Sequence, residues 1–250
     1  MKNILKKAPP LYSFIIATRN ISIEFNNTMD SIVSQNFKDY EIIVVDSSTE
    51  LNSKNIILSR KDSISKLIIE NDNGIYEAWN KALKITSGDW IVFLGSGDSL
   101  VKGILNEISN IITLQKNIDL FISNIIIFNQ LGKKKIIQKI FSSKEMLKYK
   151  QPPHPGIFMS KKLFLEFGNF NENYKIAGDY EFLLRISDKI NYKHLDITSV
   201  EMMGGGVSTS LPVLKEGIKA QLNHPKMTNI NLVFHNLKFF IFCVIKNFKN

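Results

Sequence analysis

Short apolar runs recur along the first half of the chain, and a segment of helical character follows most of them. This order predicts βα units in a mainly parallel sheet. The predicted strands are Ser13–Ala17, Glu41–Val45, Leu67–Ile69 and Trp90–Leu94. The predicted covering helices are Ile23–Gln35 and Tyr76–Ile85, because the apolar residues of each fall near one helical face.

The pattern changes in the second half. Lys102–Gln115 predicts another amphipathic helix. The apolar runs Leu120–Phe128 and Ile136–Phe141 are separated by a turn-like stretch, Asn129–Gly132, and together predict a hairpin. A regular repeat of βα units would not contain a hairpin, so we expect the second half to mix hairpin, loop and helix.

The composition is typical of one globular α/β domain. The 250 residues are 44% hydrophobic and 22% charged, which argues against wholesale disorder and against a polytopic membrane protein. The formal charge of +9 comes mostly from lysines scattered along the chain without a nucleic-acid motif, so we do not expect nucleic-acid binding. The lone Cys243 cannot form an internal disulfide, and the basic N-terminus lacks a signal-peptide cleavage pattern; both favour a cytoplasmic protein.

Polar residues follow the predicted strands where ligands collect in open α/β sheets, at the carboxyl ends of the strands. Asp46 follows the second strand and offers a carboxylate to a base or a ribose. Asp98 follows the fourth strand and offers an oxygen ligand to a hard cation that carries a diphosphate. The alternative is that both are helix caps or turn residues.

The ordered set of motifs resembles the family 2 glycosyltransferases, and particularly the branch that acts in bacterial cell-surface polysaccharide synthesis. The similarity spans roughly residues 11 to 210, and the order is more specific than any one motif. The matching segments are Phe14–Asn20, Glu41–Ser48, Glu70–Ala82, Ser87–Asp98, Pro153–Gly156 and Ala177–Arg185. The resemblance implies a GT-A fold, which is a Rossmann-like α/β fold whose mainly parallel central sheet is flanked by helices. It also implies inverting transfer of a sugar from a nucleotide-sugar, with a UDP-sugar expected.

The resemblance also implies which residues bind the donor. Thr18, Arg19 and Asp46 match the family's nucleotide-binding positions, and Asp72 matches its acidic base-contacting position. A carboxylate accepts the N–H of an uncharged uracil or thymine well. The alternative for Asp72 is an Asn-Asp-Asn-Gly turn.

The family's metal motif usually holds two acidic residues, whereas Ser96-Gly97-Asp98 holds one. Asp98, beside Gly97, is nevertheless the implied ligand of Mg²⁺ or Mn²⁺, because Mg²⁺ takes few protein ligands and keeps several waters. Such a metal would neutralise charge on the departing nucleoside diphosphate.

Asp179 matches the family's general base, which removes the proton of the acceptor hydroxyl. Glu181 is the alternative base, and Arg185 is expected to position a carboxylate or to face phosphate. The alternative for Asp179 is a helix N-terminal charge favoured by the helix dipole.

Two further residues are assigned to the site. His154 matches the family's histidine before the acceptor-side strand, and a structural hydrogen bond is its alternative. Ser208 lies in Gly204–Thr209, a glycine-rich stretch that could close over the donor diphosphate or be a plain surface loop.

We expect residues 1–225 to form the catalytic domain and residues 226–250 to form an amphipathic helical tail. The tail is too interrupted to span a bilayer. Its apolar face and lysines fit peripheral binding at the cytoplasmic face of the inner membrane, where a lipid-linked or glycan acceptor would be met, or docking on the domain or in a homodimer.

The sequence raises two rival functions. A catalytically weakened binding or assembly subunit is suggested by the single carboxylate at Asp98. A nucleotidyltransferase or dinucleotide-dependent enzyme would carry a glycine-rich phosphate loop after the first strand, and Thr18–Ser22 is not such a loop.

Overall fold

A nine-stranded mixed sheet runs through the molecule, whose computed structural model describes residues 8–129, 131–138, 140–204 and 211–227. The strands are β1 Tyr12–Thr18, β2 Tyr40–Asp46, β3 Lys66–Ile69, β4 Trp90–Leu94, β5 Ser99–Leu100, β6 Leu120–Phe128, β7 Lys134–Ile137, β8 Ile157–Ser160 and β9 Tyr192–Met203. The helices are α1 Glu24–Val33, α2 Leu51–Ser59, α3 Ile75–Ile85, α4 Ile104–Leu114, α5 Ser143–Met146, α6 Lys161–Phe167, α7 Gly178–Ile186 and α8 Leu211–Leu222. Short 3-10 turns cover Lys61–Ser63 and His154–Gly156.

The strand order is β3-β2-β1-β4-β8-β6-β9-β5, with β7 paired to β6. The first four strands are parallel to one another, as the sequence predicts. The second half of the sheet is mixed, because β8 is antiparallel to both β4 and β6 while β9 is parallel to β6. The predicted α/β class is therefore confirmed, with parallel pairing concentrated in the first half.

Two hydrophobic cores lie on the two faces of the sheet. Successive side chains of a strand point to opposite faces, so Ile15 of β1 enters one core while Phe14 and Ile16 enter the other. Helices α1 and α4 cover the core around Phe14, and α3 and α7 cover the core around Ile15. Burial on both faces leaves β1 no exposed side, as is typical of central parallel strands.

The strands and helices predicted in the first half are confirmed with shifts of a few residues at their ends. The hairpin is also confirmed, but β7 covers Lys134–Ile137 and does not extend to Phe141 as predicted. The physical reason is that β7 pairs with Ile125–Phe128 of β6, whereas β8 pairs with Leu120–Ile122 of that strand.

Residues 228–250, which include most of the predicted tail, lie outside the described residues. In the part of the chain that the structure describes, no helix has the length and apolarity needed to cross a membrane.

A buried carboxylate joins three strands at the amino-terminal edge of the sheet. Glu41 Oε1 accepts hydrogen bonds from Ser13 Oγ at 2.7 Å and from the backbone N–H groups of Ser87 and Gly88 at 2.6 and 3.2 Å. Its Oε2 pairs with Lys66 Nζ at 2.7 Å. Burial alone would raise the pKa of Glu41, but these bonds outweigh it and lower the pKa to about 2.

Glu41→Gln is expected to lower the free energy of unfolding by about 2 kcal/mol at neutral pH, because charge-assisted hydrogen bonds are lost. The folded-state pKa of Glu41 is depressed, so its stabilisation is present above the ordinary value of 4.5 and is lost as the pH falls towards about 2. Urea denaturation at several pH values checks this. A difference between the two proteins that stays constant across this range would contradict it.

Candidate active site

The carboxyl ends of β1 and β2 are joined by a hydrogen-bond network around Asp46. Asp46 Oδ1 accepts hydrogen bonds from Thr18 Oγ1 at 2.9 Å and from the Ser48 hydroxyl. Ser48 Oγ in turn accepts the backbone N–H of Asn20 at 2.8 Å. The network fixes the segment that follows β1, and Arg19 lies exposed within that segment.

Asp46 is fully buried, and its Oδ2 has no hydrogen-bond partner among the described residues. A buried carboxylate oxygen without a partner is costly. In this conformation Asp46 organises the loop and does not reach solvent, so the predicted contact with the nucleotide requires the side chain to become exposed. Thr18 is also buried, whereas Arg19 is open to a ligand.

The segment after β3 forms the turn that was the alternative for Asp72. Asp72 Oδ1 accepts the backbone N–H of Gly74 at 3.0 Å, and the side chain of Asp72 is partly exposed. Helix α3 begins directly after this turn, at Ile75. The turn therefore leaves the other carboxylate oxygen of Asp72 for a ligand at the carboxyl ends of the strands. The same turn leads directly into α3.

Asp98 occupies a tight turn between β4 and β5. Its Oδ2 accepts the backbone N–H of Gly95 at 2.7 Å, and Thr28 Oγ1 of α1 accepts the N–H of Gly97 at 2.8 Å. Gly97 has φ of 108°, a conformation that favours glycine. Asp98 is only 8% exposed, and burial raises its pKa to about 6, although the Gly95 N–H opposes the shift.

The residues around Asp98 fit a metal that arrives with its own ligands. No group of three or more His, Cys, Asp or Glu side chains able to hold a metal occurs among the described residues. Asp98 would supply one carboxylate, and the diphosphate and water would supply the other ligands. A nearby cation would favour the ionised form, which burial disfavours at present.

Asp179 lies in the first turn of α7, where the helix dipole favours a negative charge. Its Oδ2 accepts a hydrogen bond from Gln151 Nε2 at 3.0 Å, and its Oδ1 lies 3.0 Å from the Tyr76 hydroxyl of α3. The same hydroxyl lies 2.7 Å from the carbonyl oxygen of Ile176, so its single proton is shared between two acceptors. Burial and the charge of Asp179 raise the pKa of Tyr76, which keeps the hydroxyl protonated.

Gly178 allows the contact between Tyr76 and Asp179. A Cβ at Gly178 would lie 2.8 Å from carbons of the Tyr76 ring, which is closer than real Cβ atoms approach. The absence of a side chain at Gly178 lets α7 approach α3 closely enough for Tyr76 to reach Asp179.

His154 lies beside the same carboxylate and packs on the aromatic core. Its ring stacks on Trp79 with centroids 4.9 Å apart and contacts Phe93 of β4 at 5.3 Å. Burial lowers the pKa of His154, and the charge of Asp179 opposes this in part, so the imidazole is neutral at neutral pH. His154 Nε2 is buried and has no hydrogen-bond partner in the described part of the chain, so a contact with a ligand would require the side chain to become exposed.

Glu181 and Arg185 pair with each other. Arg185 Nε donates to Glu181 Oε1 at 2.8 Å, and the guanidinium also donates to the backbone carbonyls of Phe167 and Asn169. Residues two apart on a helix do not share a face, so Glu181 points away from Asp179. Ser208 lies outside the described residues.

Three residues that hold Asp179 or the backbone before it are not predicted by the sequence: Tyr76, Gln151 and Glu216. Tyr76 belongs to a matching segment, but its position there indicates only a helical residue. Gln151 and Glu216 carry no local signal, because both act through partners distant in sequence.

Comparison with known proteins agrees with the geometry. The family model described as Glycosyl transferase family 2 matches residues 13–103, which contain the ends of the four parallel strands. A Mycobacterium bovis PGL/p-HBAD biosynthesis glycosyltransferase is 26% identical over 210 residues, covering 79% of each chain. The Escherichia coli UDP-Glc:alpha-D-GlcNAc-diphosphoundecaprenol beta-1,3-glucosyltransferase WfaP is 34% identical over 142 residues, covering 56% of this chain and 54% of the relative.

The crystal structure of Staphylococcus aureus TarS residues 1–349 in complex with UDP-GlcNAc superposes with a TM-score of 0.68 at 18% identity, covering 92% of this chain and 71% of that one. This likeness confirms the GT-A fold. The chain is a glycosyltransferase, and its residues 13–103 match the family 2 model.

Asp98→Asn is expected to stabilise the protein by about 3 kcal/mol at neutral pH, because a buried charge is removed. The folded-state pKa of Asp98 is raised from 3.8 to about 6, so the wild type loses stability relative to the variant as the pH rises through this range. Thermal unfolding across this range tests it, with Asp89→Asn at an exposed position as the control. Equal stabilities of wild type and Asp98→Asn at every pH would show that Asp98 carries no burial penalty.

Proposed function

We propose that this glycosyltransferase moves a sugar, with inversion, from a UDP-sugar to a glycan or lipid-linked saccharide in the synthesis of a bacterial surface polysaccharide. The main support for this proposal is the contact between α3, which follows the Asp72 turn, and the start of α7. The Asp72 turn leads directly into α3, and Tyr76 of α3 contacts Asp179. A donor-side turn and a carboxylate suited to general-base catalysis therefore lie within one connected cluster.

The donor side is assigned to the carboxyl ends of the parallel strands. Arg19 is exposed for contact with phosphate, and Asp72 offers a carboxylate to the base. Thr18 and Asp46 hold the loop that carries Arg19. The complex of TarS with UDP-GlcNAc and the UDP-Glc donor in the name of WfaP support a UDP-sugar.

Asp179 is assigned as the general base. It takes the proton of the acceptor hydroxyl while that oxygen forms a bond to the anomeric carbon, and the bond from this carbon to the UDP oxygen breaks on the opposite face. The configuration at the anomeric carbon is thereby inverted. The hydrogen bonds from Gln151 and Tyr76 hold the carboxylate in place, and the neutral His154 lines the same site.

Asp98 is assigned as the protein ligand of Mg²⁺ or Mn²⁺. When bound, the cation supplies positive charge that stabilises the departing UDP. The turn Gly95–Asp98 is held from α1 by Thr28, which keeps the carboxylate at the end of β4.

The acceptor proposal rests on the relatives. The name of the E. coli relative specifies a GlcNAc-diphosphoundecaprenol acceptor, and that of the mycobacterial relative specifies PGL/p-HBAD biosynthesis. A lipid-linked acceptor would place the enzyme at the cytoplasmic face of the inner membrane. The single carboxylate at Asp98 favours one alternative, a binding or assembly subunit that retains donor binding without turnover.

The test is a panel of nucleotide-sugars, assayed for metal-dependent binding by calorimetry and for hydrolysis by UDP release. Wild type is expected to bind and hydrolyse a UDP-sugar. Asp179→Asn should keep donor binding and lose about 10²-fold or more in kcat, because the base is removed. Asp98→Ala should weaken the metal-dependent part of donor binding.

Asp188→Asn is the matched control, since Asp188 follows the opposite end of α7 and pairs with Lys226. Its kcat should stay within about twofold of wild type. Full activity of Asp179→Asn would refute the base assignment. Binding of UDP-sugar without any turnover would favour the assembly subunit, and no binding of any nucleotide-sugar would refute the proposal.

A further inference from the structure

A carboxylate from α8 binds the backbone immediately before Asp179. Glu216 Oε1 accepts the N–H of Lys175 at 2.8 Å, and its Oε2 accepts the N–H groups of Ile176 and Ala177 at 2.8 Å each. These three residues directly precede Gly178, where α7 begins. Three charge-assisted hydrogen bonds from one carboxylate to consecutive peptides constrain the segment strongly.

The same segment lacks a cap of its own. The N-cap of α7 is Ala177, which has no side chain able to accept a hydrogen bond. Glu216 places a negative charge at this helix terminus, where the helix dipole favours one. An N-cap side chain accepts the N–H of the second or third helical residue, whereas Glu216 accepts the N–H groups of the three residues before the helix. Glu216 therefore fixes the path of the chain into α7.

The peptide group between Ile176 and Ala177 is held on both sides. Its N–H, that of Ala177, donates to Glu216 Oε2 at 2.8 Å, and its carbonyl oxygen, that of Ile176, lies 2.7 Å from the Tyr76 hydroxyl, which also contacts Asp179. A shift of this peptide would therefore change how the Tyr76 proton is divided between the carbonyl and the Asp179 carboxylate. Glu216 and Asp179 are thus linked through one peptide and one hydroxyl.

Helix α8 is anchored to the domain by close packing and by hydrogen bonds. A Cβ at Gly217, the neighbour of Glu216, would lie 1.9 Å from the ring of Tyr149, so the helix backbone packs directly on that ring. The Tyr149 hydroxyl donates to the carbonyl of Val213 at 3.1 Å, and Gln221 Nε2 donates to the carbonyl of Leu147 at 2.9 Å. Because the backbone of α8 is anchored, the Glu216 carboxylate is a fixed support.

We propose that Glu216 is a positioning residue for catalysis, which sets the place of Asp179 by holding the peptides of residues 175–177. The inference rests on the proposed function, in which Asp179 is the base. A general base must lie within hydrogen-bond reach of the acceptor hydroxyl, and a displacement of about 1 Å can cost about 10²-fold in rate. A purely structural support would affect stability and leave the turnover of the folded protein unchanged.

The test compares Glu216→Ala and Glu216→Gln with Glu41→Gln in the full chain. Glu41 is the matched control, because its carboxylate also accepts backbone N–H groups, those of Ser87 and Gly88, but at the opposite edge of the sheet. UDP release from UDP-Glc and UDP-GlcNAc gives kcat and KM below the unfolding temperature of every variant, and calorimetry with UDP reports the donor site.

Glu216→Ala is expected to lose about 10- to 100-fold in kcat while KM for the donor and UDP affinity change less than about twofold. Glu216→Gln keeps an acceptor oxygen and should lose less. Glu41→Gln should unfold at a lower temperature and keep its kcat. Hydrogen exchange of the amides of residues 175–177 should accelerate in Glu216→Ala, whatever its activity.

A double-mutant cycle adds a measurement that a loss of stability alone would not reproduce. Tyr76→Phe and Glu216→Ala act on the same peptide, so their combined loss in kcat should be clearly smaller than the product of the separate losses. If Asp179→Asn is inactive while Glu216→Ala keeps wild-type kcat, the positioning role is refuted and the base assignment stands. If Asp179→Asn is active, the base assignment is refuted, and the positioning role of Glu216 is refuted with it.

Discussion

Strand β1 lies between β2 and β4 and buries its side chains in both hydrophobic cores. A strand in this position cannot slip by one residue, because a slip would exchange the two faces and move Ile15 into the wrong core. The fixed register brings Thr18 beside Asp46 at the carboxyl edge of the sheet. The hydrogen bond between these two side chains, and with it the loop that carries Arg19, follows from this packing.

Two buried carboxylates, one at the amino ends and one at the carboxyl ends of the parallel strands, have opposite effects on stability. Glu41 has both oxygens bonded, and its pKa is lowered to about 2. Asp98 receives one backbone N–H, and its pKa is raised to about 6. The first carboxylate stabilises the fold, whereas the second is held at a cost to stability, as is common for groups that serve a ligand.

The surroundings of Asp179 combine four parts of the chain. Tyr76 comes from α3, Gln151 from the segment before the 3-10 turn, His154 from that turn, and Glu216 from α8. Only the first lies within the residues that the family model matches. Under the proposed function, the matched region would build the donor side of the site, and the rest of the chain would arrange the carboxylate that acts on the acceptor.

Local sequence was sufficient for the parallel strands, for helices α1, α3 and α4, and for the placement of Asp46 and Asp98 after strands. Hydrophobic periodicity and strand-end position are properties of neighbouring residues, so they can be read without a structure. The position of Asp179 at the start of a helix was predictable for the same reason.

Only the tertiary structure decided how these groups are held. It enclosed Asp46 and brought Glu216 to the peptides before Asp179 from 39 to 41 positions away. It also brought Tyr76 to Asp179 across 103 positions. Contacts at such separations depend on how helices pack across the sheet. No local propensity encodes that packing, so the sequence by itself indicated the carboxylates at strand ends and at the start of a helix, and the fold decided which other groups surround them.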